Sequence, residues 1–133
     1  MKRSTNRDER GAAAVEFALI APLLVALIMG IVEFGVAINF KSQLNNATSV
    51  AARDYGIYRD KAQAEAIINA VATTSGTSAR AISYVVEGGV NECNEANVGK
   101  PVVLTVKLKR TTITKILGAA PLPYEAKAVA RCN

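Results

Sequence analysis

The sequence predicts an α+β fold: a long N-terminal transmembrane helix extends into a small soluble domain, where a second helix packs on a roughly three-stranded antiparallel sheet. Three observations predict it. From Phe17 to Val32 no residue is charged, and the apolar character continues, broken by Glu33 and Asn39, as far as Phe40. Beyond that run, apolar residues recur every three or four positions to Tyr58 and again between Ala64 and Val71, the spacing of helix faces. From Ile82 onwards, stretches of chain alternate apolar and polar residues, the period of half-buried strands.

Size and charge set the limits. A chain of 133 residues has room for one membrane segment and one small soluble domain, not two full cores. Its apolar fraction of 50% is only slightly above that of an ordinary soluble protein, so what matters is its concentration in one run. A net charge of +5 is compatible with binding a polyanion, but aromatic residues make up only 5% and no zinc-finger or recognition-helix pattern occurs. No nucleic-acid partner is expected. The basic residues Lys2, Arg3, Arg7 and Arg10 precede the apolar run, against only Asp8 and Glu9. Such a flank stays in the cytoplasm and sends the far end of the helix across the bilayer.

Taken in order, Met1 to Gly11 is short, polar and basic. A helix from Ala12 to Phe34 would be about 35 Å long at 1.5 Å per residue, enough to cross roughly 30 Å of hydrocarbon with some tilt. A cleaved secretory signal would need small residues after the apolar segment. Ala47, Ala51 and Ala52 offer some, but the run is long for such a signal and passes smoothly into a polar helical pattern. Within it, Ala18, Pro22, Ala26 and Gly30 recur every four residues on one helix face. That stripe is either a surface for close approach of another helix or the ordinary composition of membrane helices. Pro22 removes a backbone hydrogen bond and should kink or loosen the helix. Glu33 lies about 25 Å beyond Glu16 along an ideal helix, which carries it toward the far interface.

The helix should continue out of the membrane, with Phe40, Leu44, Ala47, Ala51, Tyr55 and Tyr58 on one stripe and Lys41, Gln43, Asn46 and Arg53 opposite. Gly56 weakens it, and Asp60 suits the cap of a second helix whose apolar positions include Ala64, Ile67, Ile68 and Val71. Thr73 to Ser78 reads as a loop. In the strands, Ile82, Tyr84 and Val86 alternate with Ser83, Val85 and Glu87. Leu104, Val106 and Leu108 alternate with Thr105, Lys107 and Lys109. Tyr124, Ala126, Ala128 and Ala130 alternate with Glu125, Lys127 and Arg131. Thr111 to Leu117 is ambiguous, and Gly118 to Pro123 reads as a connection.

Catalytic chemistry finds little to use. There is no histidine, no GxSxG elbow and no GxxxxGK[ST] phosphate loop, so neither an enzyme nor a cofactor is expected. Glu87, Glu92 and Glu95 read as a solvated loop rather than an acid/base pair, and Lys107 and Lys109 as a solvent-facing strand surface. Cys93 and Cys132 lack CxxC spacing, which argues against a metal site or a redox dithiol. If the domain is exported, a disulfide between them is the natural reading. Closing a loop of roughly 40 residues would contribute about 4 kcal/mol on the chain-entropy account.

The sequence Arg10-Gly11, followed by Ala12-Ala13-Ala14-Val15-Glu16-Phe17 and the apolar run, resembles the processing site of type IV pilin-like precursors, which a membrane aspartic peptidase cuts after the glycine. The longer pattern, Glu16-Phe17-Ala18-Leu19, Ala21-Pro22-Leu23 and Glu33-Phe34-Gly35, is similar to the TadE-like pseudopilins of the tight-adherence (Tad/Flp) pilus system. Glycine suits such a cut, because it lets an extended backbone lie close to the protease. The resemblance, specific over the first third of the chain, implies a pilin-like architecture with a leader over 1–11 and a transmembrane assembly helix over 12–40; the residues beyond read as a helical stalk over 41–58 and a soluble domain over 59–133. It implies a prepilin peptidase acting between Gly11 and Ala12, and an assembly role for Glu16, Phe17 and Pro22. Glu16 would pair with the new amino terminus of Ala12 or that of a neighbouring subunit. An acidic residue favoured by the helix macrodipole is the alternative. Implied partners are membrane lipid, other pilins and pseudopilins, and the inner-membrane assembly proteins of the Tad system. The N-terminus would be cytoplasmic and the domain periplasmic, or carried into the extracellular pilus. Major pilins of that system are essentially helix alone, so the extra domain implies a minor pilin. An unprocessed, membrane-anchored binding protein is the rival.

Overall fold

A computed structural model describes residues 5–74, 79–89, 91–110 and 122–133. Helix α1 spans Thr5–Tyr58 and α2 spans Lys61–Thr74. Strands β1 (Ala79–Val86), β2 (Pro101–Arg110) and β3 (Leu122–Arg131) follow, with a 3-10 turn at Glu95–Asn97 between the first two. The chain divides into two units, Met1–Gly35 and Val36–Asn133.

The first unit is helix without a core. Phe17, Leu19, Leu23 and Phe34 are each more than 70% exposed, and the most apolar 18-residue window of α1 has none of its residues buried. A helix that is apolar all round satisfies its backbone internally and leaves its side chains to a nonpolar surrounding. By length and composition it is able to cross a membrane. The helix runs on through Pro22.

The second unit is built on an antiparallel sheet in the order β1-β2-β3. Because strand side chains alternate, register decides what is buried. Tyr84 lies opposite Leu104, which lies opposite Ala128, and Ile82 opposite Val106, which lies opposite Ala126. These rows face inward, while Lys107, Lys109, Glu125 and Lys127 face out. Phe40, Leu44, Ala51 and Tyr55 of α1 and Ala64, Ile68 and Ala72 of α2 complete one continuous core with the inner sheet face. Aromatic pairs pin its two ends. Phe40 meets Tyr124 edge-on at 5.0 Å between ring centroids, and Tyr55 meets Tyr84 at 4.6 Å. The buried Thr48 hydroxyl donates to the Leu44 carbonyl at 2.7 Å, which lets a polar side chain sit inside.

The stripe expected from Phe40 to Tyr58 is buried as far as Tyr55, but Tyr58 itself is 65% exposed. The reason is local: α1 ends at Tyr58, where Arg59 takes a left-handed backbone (φ 58°) and its N–H donates to the Tyr55 carbonyl, so the last turn lies beyond the buried stripe. Asp60 then caps α2, its Oδ1 accepting from the N–H groups of Ala62 (2.8 Å) and Gln63 (3.4 Å). Two boundaries differ from the sequence reading. Thr73 and Thr74 continue α2, leaving 75–78 outside the described residues. Leu122 and Pro123 belong to β3, paired with Arg110 and Lys109, because the ladder continues beyond the alternating stretch. Thr111 to Leu117 and the rest of the expected connection, 118–121, lie outside the described residues.

Gly56 does more than weaken a helix. A Cβ placed there would stand 2.5 Å from the Arg131 carbonyl oxygen, so glycine is what lets α1 touch the end of β3. Alanine would gain about 1 kcal/mol of helix propensity but lose roughly 2–3 kcal/mol to the forced backbone shift. Gly56→Ala is therefore expected to destabilise the domain by about 1–2 kcal/mol, read as a lower urea midpoint. An unchanged midpoint would mean that the contact yields freely.

Candidate functional site

Two places carry the candidate residues. In the first unit, Gly11 and Ala12 lie within α1. A Cβ at Gly11 would meet nothing within 4 Å, so the fold places no steric demand for glycine there. Glu16 stands one helical turn beyond Ala12, the i,i+4 spacing at which side groups neighbour each other. Glu16, Phe17, Ala18, Pro22, Ala26 and Gly30 are all exposed in the single chain. A Cβ at Gly30 likewise meets open space. Glu16, Phe17 and the stripe from Ala18 to Gly30 lie on different sides of the helix, with the carboxylate of Glu16 apart from the small residues.

The second place is where α1 ends. Cys93 and Cys132 form a disulfide with a Cα–Cα distance of 5.5 Å, tying the loop after β1 to the residue after β3. Tyr55 reaches this bridge from the helix, its hydroxyl accepting from the Cys93 N–H at 3.0 Å. The Gly99 N–H donates to the Cys132 carbonyl (2.7 Å), the Cys132 N–H to the Lys100 carbonyl (3.0 Å) and the Asn133 N–H to the Gly56 carbonyl (2.8 Å). Arg59 closes the knot: Nε and one terminal guanidinium nitrogen donate to the Asn133 carbonyl at 3.0 and 2.7 Å. Those bonds repay the strain of its left-handed backbone. Across a shallow cleft of about 380 Å³, Lys61 and Glu92 form an ion pair at 2.7 Å. Their hydrogen bond raises the Lys61 pKa and lowers that of Glu92.

The charged groups at this cleft already have protein partners, so it is a clasp holding three chain segments rather than a reaction centre. Among the described residues no group of three His, Cys, Asp or Glu side chains is placed to hold a metal ion. The expected acid-rich loop is partly absorbed here, since Glu92 serves the clasp. Sequence reading found the cysteines but missed Tyr55, Gly56 and Arg59 as their helix-side partners. A glycine kept inside a helical pattern was the one available signal.

The architecture defines a class: a small α+β domain carried on a helix apolar enough to span a bilayer. Residues 11–53 match the family model described as TadE-like protein, which supports the likeness read in Arg10 to Gly35. The match takes in the apolar helix and most of its continuation to Arg53, leaving the second helix and the sheet outside it. No curated protein and no solved structure matches the chain.

Beside the clasp, the Tyr84 hydroxyl is buried without a hydrogen-bond partner among the described residues, and the Lys61 ammonium lies 5.7 Å from the ring centroid. Burial, with the charge of Glu65 adding to it, pushes its pKa up to about 12 from 10.0. Because the unfolded chain loses this proton first, the folded state loses stability as pH rises between those two values. The loss should approach roughly 2 kcal/mol by pH 12. Tyr84→Phe should remove that part of the alkaline slope in urea midpoints while changing neutral-pH stability by less than about 1 kcal/mol. An unchanged slope would contradict the assignment to Tyr84.

Proposed function

We propose that this chain is a minor pilin, or pseudopilin, cut after Gly11 by a prepilin peptidase and taking part in assembly of a Tad/Flp-type adhesive pilus. Its role is structural, not catalytic. It sits in the bacterial inner membrane as a single-pass precursor with a cytoplasmic N-terminus and a periplasmic domain. Its partners are the peptidase, other pilins and pseudopilins, and the assembly proteins of that membrane. The observation that carries this reading is the match over 11–53, which begins at the glycine expected to precede the cut and continues through the assembly helix.

The physical chemistry supports it at two residues. Open space around Gly11 leaves the fold indifferent to a side chain, so the need for glycine falls on whatever handles this segment. Cleavage requires an extended backbone, and glycine lowers the cost of unwinding the helix by about 1 kcal/mol relative to alanine. Glu16 places a carboxylate next to an apolar surface, costly in a bilayer unless a cation meets it. Cutting after Gly11 creates such a cation one turn away, at the amino group of Ala12.

The deciding experiment is coexpression with an active prepilin peptidase of the Tad type, followed by sequencing of the mature N-terminus. A start at Ala12 is expected, with Gly11→Ala cut more slowly. An intact Met1 would leave a membrane-anchored protein of another kind. Glu16→Ala should be cut normally yet reduce pilus yield by at least about tenfold, since the paired charge is lost. Wild-type piliation in that variant would remove Glu16 from the assembly step.

A further inference from the structure

The outward charges of the soluble domain are not spread evenly along the strands. Glu87, Glu92 and Glu95 gather beyond Val86, alongside Lys100 and Arg131, at the end of the sheet where β1 gives way to the clasp. At the opposite end the register places Lys109 between Ala79 and Pro123, and Lys107 between Ala81 and Glu125. Arg110 follows, its guanidinium 5.0 Å from the centroid of the Phe40 ring. Glu125, the carboxylate at this end, pairs with Lys127 at 3.1 Å. Among the described residues no ion pair joins Lys107, Lys109 or Arg110 to an acid. Both lysines are exposed, and they rim an open groove of about 350 Å³ whose other walls are Ala81, Leu108, Pro123, Tyr124 and Glu125, the last already paired with Lys127.

This is also the end of the domain at which the chain leaves its apolar run. Phe40 closes that run, Lys41 follows it exposed, and Phe40 packs edge-on against Tyr124 of the groove wall. Three features therefore coincide: basic residues that form no ion pair among the described residues, an apolar groove between them, and the residue that joins the domain to the span. We infer that the Lys107–Lys109–Arg110 end of the domain docks on the anionic headgroups of the bilayer that α1 crosses, with the groove receiving the apolar part of a lipid near its headgroup. The inference rests on reading α1 as a membrane span.

The chemistry favours a lipid surface over other polyanions. Lysine stems lie along apolar surface while their ammonium groups reach toward anionic heads, and aromatic rings belong at the same depth. An acidic protein or a polysaccharide offers the charge but has no need of an apolar groove beside the point where the chain meets the membrane. Each basic side chain near an anionic surface adds attraction that fades within a Debye length, so docking must depend on both lipid charge and salt.

The test uses the full-length chain in bilayer discs of phosphatidylcholine alone, or of an equal mixture with phosphatidylglycerol. Lysines are acylated with an uncharged reagent and read by peptide mass spectrometry. Lys107 and Lys109 should be modified at least about threefold more slowly in the anionic discs, relative to Lys100 at the far end of the sheet, and high salt should abolish the difference. Equal ratios in the two lipids, or equal slowing of Lys100, would overturn the docking surface while leaving the span intact. Failure of the chain to co-elute with phosphatidylcholine discs would overturn the span, and the docking surface with it.

Discussion

One helix has to satisfy two solvents. From Phe17 to Val32 its side chains are uncharged all round, and none of the most apolar window is buried. From Phe40 onward the same helix narrows to a single apolar stripe and gives that stripe to a sheet. Everything in the second unit follows from that change. A three-stranded sheet with one face in water needs a cover for the other, and the segment from Phe40 to Tyr55 supplies the largest part of it. Without α1 the inner rows of valine, leucine and alanine would lack their largest aromatic neighbours, Phe40 and Tyr55.

How much of this was legible depended on whether the determining interaction was local. The apolar run, the helical stripe through Leu44, Ala51 and Tyr55, and the alternation in β1, β2 and β3 are periodic signals, and the structure places those residues as their spacing indicates. Asp60 was readable as a cap because capping is settled within three residues. Tyr58 has the right spacing for the stripe, but the core ends at Tyr55 and the chain turns at Arg59, so spacing alone places it wrongly. Gly56 looked like a weakness because its partner, the Arg131 carbonyl, is distant in sequence and contributes only backbone. No pattern of side-chain types records a contact of that sort.

The same distinction applies to the candidate site. Gly11, Ala12 and Glu16 are singled out by a linear pattern near the N-terminus, and the match over 11–53 spans them without assigning them a role. The structure adds that the fold leaves Gly11 unconstrained. The clasp was half readable: two cysteines suggest a bridge, but neither Tyr55 on the Cys93 amide nor Arg59 on the Asn133 carbonyl could be read from spacing.

The bridge also decides how the domain would bear load. Cys93 and Cys132 are 39 positions apart, and that interval contains all of β2 and β3. Fully extended, it would be about 130 Å of chain at 3.3–3.6 Å per residue. The covalent link withholds that length from any pull between α1 and the residues after β3. Tension is met first by the contacts around Gly56, Tyr55 and Arg59, and once these yield only the segment outside the closed loop, with α2 and β1, is left to extend.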